Sequence, residues 1–304
     1  MSLLKNSLFL LFTCFLFSSC FEPDEPVQPQ PRLNKTAQLD AGFSKQELNY
    51  FSLDDNKLLA TVNPMDWDIS LEDSIFRING FRSMAVAPFE GDWQETTDTI
   101  GLQFKYLTSD YDKEIWSILP NTSYVVDFGR DNDYNSLGYY KLSYQFDSDG
   151  LTVLFSRLED ASAKTNKLNQ DEFHYSLLNE GYIDIPFFKD FDIAFGKYTD
   201  LINEQTNYLV YGCILGASRA KKLNTPFEGV TEEVKDTISL DPLDKTVIGW
   251  DWKWYDLDGG QYEVVDGVSY IIKSKQSFIY KLRFTDFYNN TGISGHPTFE
   301  FKLL

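Results

Sequence analysis

Few side chains in this sequence can donate to a metal or a cofactor, and they lie far apart. There are two His (His174 and His296), three Cys, and Met65 and Met84 beyond the initiator. Two His and three Cys are too few for a Cys/His zinc cluster or a disulfide framework. Each donor also has an ordinary structural role open to it. Met65 and Met84 flank Trp67-Asp68-Ile69, where a thioether commonly fills a gap. His296 sits in a turn between Gly295 and Pro297, where a lone His is usually solvated. Trp250, Trp252, Trp254 and Tyr255 form the densest aromatic cluster. Taken as a strand, the cluster puts three Trp on one face and Tyr255 on the other. Leaving such a row in water costs roughly 1.5–3 kcal/mol per large apolar side chain, so it must cover a core, a partner or a flat ligand. Carboxylates are abundant, at 46 Asp and Glu, so a pair at hydrolase spacing is expected by chance alone. Asp131-Asn132-Asp133-Tyr134-Asn135 lacks the spacing and terminal Glu of a calcium loop. No nucleophile elbow, phosphate loop or dinucleotide turn is present, and the chain reads as a non-enzyme.

The elements that must position these residues begin after an address segment. Lys5, the apolar run Leu8 to Phe17, and Ser18-Ser19-Cys20 make a secretory signal ending in a lipobox. Cys14, behind the bulkier Thr13, is a poorer candidate. Residues 1–19 are read as the signal peptide and Cys20 as the lipidated residue, which anchors the chain in the outer membrane. The run is too short to span a bilayer. Residues 20–42, acidic and Pro-rich at their start, are read as a tether. The net charge of -19 argues against nucleic acid and against electrostatic docking on anionic lipid. Cys213 lies in an apolar stretch, and its plain role is in the core.

The body is mainly β. Apolar residues alternate in 124–128, 139–144, 151–155, 269–273, 278–284 and 298–301, with Gly-containing turns between such runs. The best helical stretch is 160–169. Tyr50-Phe51-Ser52-Leu53 precedes Trp67-Asp68-Ile69, and His174-Tyr175-Ser176-Leu177 precedes Phe191-Asp192-Ile193, both blocks repeating at an offset of 124 residues. Two related β units, about 43–160 and 170–304, are therefore expected in antiparallel sheets. The repeat leaves open whether they are two domains or one joined sheet system. It sets His174 opposite Tyr50, which favours packing over ligation. Asp68 and Asp192 are equivalent and suit a turn-closing hydrogen bond.

Several blocks together resemble the HmuY-type haem-binding lipoproteins of Bacteroidetes. They are Tyr50-Phe51-Ser52, Asp66-Trp67-Asp68-Ile69, Arg77-Ile78-Asn79-Gly80, Gly249-Trp250-Asp251-Trp252, Ser269-Tyr270-Ile271-Ile272, Tyr280 to Tyr288, and Gly295-His296-Pro297-Thr298-Phe299. The acidic residues after Cys20 resemble the surface-export signal of such lipoproteins. The resemblance implies an all-β surface lipoprotein that captures haem and passes it to an outer-membrane receptor. It also implies an axial donor set, which in this family is His or Met. Here Tyr255 stands after the Trp-rich strand where a ligand His would fall. His296 is the second ligand only if its turn folds back over Tyr255. His174, Met65 and Met84 complete the candidates. The shortage of His keeps a second class open: a surface adhesion or scaffold module that binds protein or glycan without haem.

Overall fold

Alternation of apolar and polar residues produces strands from one end of the body to the other. The computed structural model describes residues 33–42, 45–108, 114–148, 150–202, 206–235, 239–240 and 244–304. Cys20 and the signal lie outside the described residues. The first repeat holds β2 (Leu48–Ser52), β3 (Lys57–Val62), β4 (Ile69–Glu72), β5 (Ile75–Ile78), β6 (Ala85–Pro88), β7 (Lys105–Tyr106), β8 (Tyr124–Asp127), β9 (Tyr139–Asp147), β10 (Gly150–Arg157) and β11 (Lys164–Leu168). The second holds β12 (Phe173–Ser176), β13 (Gly181–Ile183), β14 (Ile193–Ile202), β15 (Thr206–Leu215), β16 (Arg219–Leu223), β17 (Lys253–Asp256), β18 (Gln261–Val264), β19 (Ser269–Lys273), β20 (Ile279–Tyr288) and β21 (Ser294–Leu303). A short β1 (Lys35–Gln38) precedes them.

The sheets come in matched pairs. One large sheet runs β11-β10-β9-β8-β6-β7 and the other β1-β21-β20-β19-β16. The smaller sheets run β13-β12-β4-β5 and β15-β14-β2-β3, and β17-β18 forms a separate ribbon. Strand pairing crosses between the repeats: β2 lies beside β14, and β4 beside β12. Each small sheet therefore takes two strands from each repeat, in reciprocal order. The described residues from 33 onward belong to one compact unit. Two buried clusters hold it together. One is centred on Trp67, Phe76, Phe128 and Tyr144, the other on Phe51, Trp252, Phe284 and Phe299.

The repeated aspartates lock this exchange. Asp68 Oδ2 accepts from the Leu177 and Leu178 amides at 2.6 and 3.2 Å, closing the turn after β12. Asp192 Oδ2 accepts from the Leu53 amide at 2.8 Å, closing the turn after β2. Each carboxylate thus closes the turn of the other repeat, which satisfies amides that would otherwise be buried without a partner. The aromatic partners exchange in the same way. Tyr50 meets Phe191 edge-on at 4.9 Å, and His174 meets Trp67 edge-on at 5.0 Å. A further matched pair has no short motif to announce it. Lys141 in β9 donates to the Trp93, Thr96 and Asp160 carbonyls, and Lys281 in β20 to the Phe227 and Val230 carbonyls. Both are buried in their strands and pin the connection that follows β6 or β16.

The structure differs from the sequence reading in three places. The 160–169 stretch carries β11, not a helix; Asn166 and Leu168 turn inward and the ladder to β10 satisfies the backbone. The 20–42 stretch ends inside the fold: β1 pairs with β21, and Leu39 and Ala41 are buried. The Trp row does not exist, because the chain turns at Asp251 and Trp252 and the strand begins only at Lys253. Trp252 goes to the core, stacked on Phe284 at 3.9 Å, while Trp254 and Tyr255 are both exposed.

Candidate functional site

The turn at Trp252 brings Trp250, Trp254 and Tyr255 to the same hollow, whereas the reading as one strand sets Tyr255 on the face opposite the two Trp. Its floor is β14 and β15, where Lys197 pairs with Tyr211 and Thr199 with Leu209. One wall is the β17–β18 ribbon, where Tyr255 lies opposite Tyr262 with ring centroids 5.0 Å apart. Trp250 Nε1 donates to Asp200 Oδ2 at 3.1 Å, fixing the base of that wall. The hollow measures about 390 Å³. A second of about 320 Å³ adjoins it, sharing Tyr134, Lys197, Tyr208 and Leu209. Either volume lies in the range of small-molecule sites, roughly 300–1,000 Å³.

The second hollow is walled by the connection between β8 and β9. Asp131 Oδ1 accepts from the Asp133 and Asn135 amides at 2.9 and 2.8 Å, curling the loop so that Tyr134 stands at the mouth. The aspartate therefore shapes the loop, and the described residues form no metal-binding cluster of His, Cys, Asp and Glu. Gly129, at φ +76°, packs where a Cβ would meet the Arg82 carbonyl at 2.0 Å, so the loop can lie against the short turn Gly80–Arg82 only with glycine there. Met65 enters from the turn Pro64–Asp66, whose Met65 amide donates to Asn63 Oδ1 at 2.9 Å.

Two properties set this cleft apart from the rest of the surface. Four basic side chains without a carboxylate ion pair among the described residues line it (Lys45, Arg130, Lys197, Lys253) against two acidic ones (Asp127, Asp131); Arg82 also borders it but is paired with Asp68. The whole chain has the opposite balance, 27 basic to 46 acidic. Of sixteen large apolar residues exposed among the described ones, six belong to the cleft: Tyr134, Tyr139, Tyr208, Leu209, Trp254 and Tyr255. Exposed apolar surface gathered in one concavity marks a binding site.

Lys253 is nearly buried at 7% exposure, donates to the Tyr211 carbonyl at 2.7 Å, and lies 4.5 Å from the Trp252 ring centre. Burial, then the Lys45 charge, pulls its pKa down to about 7, with Asp251 opposing. Burial and Lys197 lower Lys45 in turn.

The sequence-derived candidates divide clearly. Tyr255 and Met65 line the cleft, at its two ends. Met84 is buried in the core, its sulfur 3.8 Å from an Arg82 nitrogen. His174 is buried between Trp67 and Phe187, and desolvation followed by the Arg77 charge lowers its pKa to about 4. His296 is half-buried; its Nδ1 donates to the Ile293 carbonyl at 3.0 Å and its Nε2 lies 3.2 Å from Asp40. It ties the last strand to the segment after β1 and is not among the cleft residues. The lysines of the cleft escaped the sequence reading, since nothing in their local context marks them.

The family model for the HmuY protein matches residues 44–301. The chain belongs to the HmuY family. Solved structures similar to this HmuY-family chain include Apo PinO from Porphyromonas gingivitis, at 11% identity, 90% of this chain, 97% of that one and a TM-score of 0.30. The Apo HmuY analog (TFO) from Tannerella forsythia is 11% identical, over 89% of this chain and 95% of its own, with a TM-score of 0.26. A Bacteroides vulgatus structure named as an HmuY_like heme binding protein is 13% identical over 88% and 91%, with a TM-score of 0.25. Comparison with curated proteins finds no match.

Proposed function

We propose that this HmuY-family chain is a non-catalytic surface lipoprotein that captures haem in the cleft between the β8–β9 connection and the β17–β18 ribbon. The observation that carries this reading is the reversed charge balance around a concave patch of exposed aromatic rings. A bound haem brings a flat apolar ring, an iron with axial positions and anionic carboxylates. Tyr134, Tyr208 and Trp254 offer ring faces for the macrocycle, and Lys45 and Lys197 offer charge for the carboxylates. Tyr255 and Met65 are alternative candidate axial donors, one in each hollow, and a phenolate suits ferric iron. A single phenolate or thioether donor therefore fits the group, although neither His takes part.

Titrating haemin into purified protein tests the reading. A saturable Soret shift is expected, with Tyr255→Phe altering the ferric spectrum and weakening binding on the order of tenfold. No Soret shift in the parent removes haem capture, and parent spectra in both Tyr255→Phe and Met65→Leu remove these donors. The lipid anchor rests on the apolar run ending in Ser18-Ser19-Cys20. Cys20→Ala is expected to move the protein from the detergent phase to the aqueous phase, and unchanged partition contradicts the anchor.

A further inference from the structure

We infer that the cleft recognises the carboxylate edge and the ring face of its ligand more than the metal, so that it takes dicarboxylate tetrapyrroles with or without iron. This rests on the haem-capture reading and narrows its substrate class. The first observation is a chain of unsatisfied positive charge. Lys45, Lys197 and Lys253 line the same hollow, and among the described residues none forms an ion pair with a carboxylate. They face rings instead. Lys197 Nζ lies 5.6 Å from the Tyr134 centroid, and Lys45 Nζ lies 5.1 Å from Tyr262 and 5.4 Å from Phe287. Lys253 Nζ lies 4.8 Å from the same Phe287 ring. Neighbouring ammonium groups repel, and an acidic chain that keeps these lysines together gains by placing an anion between them.

Hydrogen bonding separates their roles. Lys253 already donates to the Tyr211 and Trp250 carbonyls, at 2.7 and 3.4 Å, so its donors are taken. Lys45 and Lys197 have no hydrogen-bond acceptor among the described residues, which leaves their donors free for two carboxylates. A charge-assisted contact of that kind is about twice as strong as a neutral hydrogen bond.

The second observation concerns the iron donors. Metal ligands are normally oriented by a second hydrogen bond that fixes the donor atom. Tyr255 is 47% exposed on a two-stranded ribbon, and no described residue hydrogen-bonds its hydroxyl. Both imidazoles are engaged outside the cleft. The carboxylate edge thus meets charge that no described carboxylate neutralises, whereas no described residue orients the phenol that would meet the metal.

The test compares haemin with metal-free protoporphyrin IX and its dimethyl ester, in one buffer and detergent, by quenching of Trp fluorescence. Protoporphyrin IX is expected to bind within about tenfold of haemin, and the dimethyl ester to bind weaker by on the order of tenfold or more. Lys45→Gln with Lys197→Gln is expected to weaken haemin and protoporphyrin IX alike, with an unchanged melting curve. Haemin binding without protoporphyrin IX binding overturns this inference and leaves haem capture standing. So does a dimethyl ester that binds as tightly as the free acid. Binding of neither pigment overturns both.

Discussion

Asp68→Ala is expected to destabilise the fold by about 3–5 kcal/mol, the loss typical of breaking one side of a buried ion pair. Asp68 and Arg82 are almost fully buried and 2.7 Å apart. Removing the carboxylate leaves the guanidinium without its counter-charge in the core and frees the Leu177 and Leu178 amides. The equivalent Asp192→Ala is expected to cost less. Asp192 also caps two amides, of Leu53 and Lys275, but burial pushes its pKa up to about 6, so the fold holds its charge less well than water does, and its removal strands no buried guanidinium. Urea midpoints of the two variants decide the matter. Equal losses, or an Asp68→Ala loss below about 1 kcal/mol, contradict the assignment of Arg82 as the difference between the repeats.

Acid is expected to unfold the protein partly through His174. Its folded pKa of about 4 lies below the ordinary value of 6.5. Between those values the unfolded chain binds a proton that the folded chain refuses, so stability falls as pH falls. By pH 4 the loss reaches about 3 kcal/mol, at 1.36 kcal/mol per unit. His174→Tyr copies the residue that the first repeat carries at this place, Tyr50, and removes the titration. Other carboxylates contribute slopes of their own, so the quantity to read is the difference between parent and variant. That difference should change by about 3 kcal/mol between pH 7 and pH 4. A constant difference means that His174 takes its proton without opening the core.

The strands were legible wherever one face alternates. The predicted runs 124–128, 139–144, 269–273 and 298–301 all fall on strands of the large sheets. The repeat was legible because Asp68 and Asp192 must each close a turn, and because Trp67 and Phe191 must each be buried. What the sequence did not reveal is whose turn each aspartate closes. Periodicity reports which face of a strand is buried and carries no information on its neighbour, so the exchange of strands stayed hidden. β1 and β11 were missed because both are polar edge strands held chiefly by their ladders. The three-Trp face failed because a strand was assumed to begin three residues before it does. Tyr255 and Met65 were reachable as candidate donors by residue type. Lys45, Arg130, Lys197 and Lys253 were not, because only folding brings them to one cleft.

The most direct measurement is the anomalous scattering of iron in crystals of the protein grown with haemin. The account predicts an iron peak inside the cleft, beside Tyr255 or beside Met65, with the macrocycle against Tyr134, Tyr208 or Trp254 and its carboxylates toward Lys45 and Lys197. An iron peak beside His296 or His174, or on any surface outside the cleft, contradicts it.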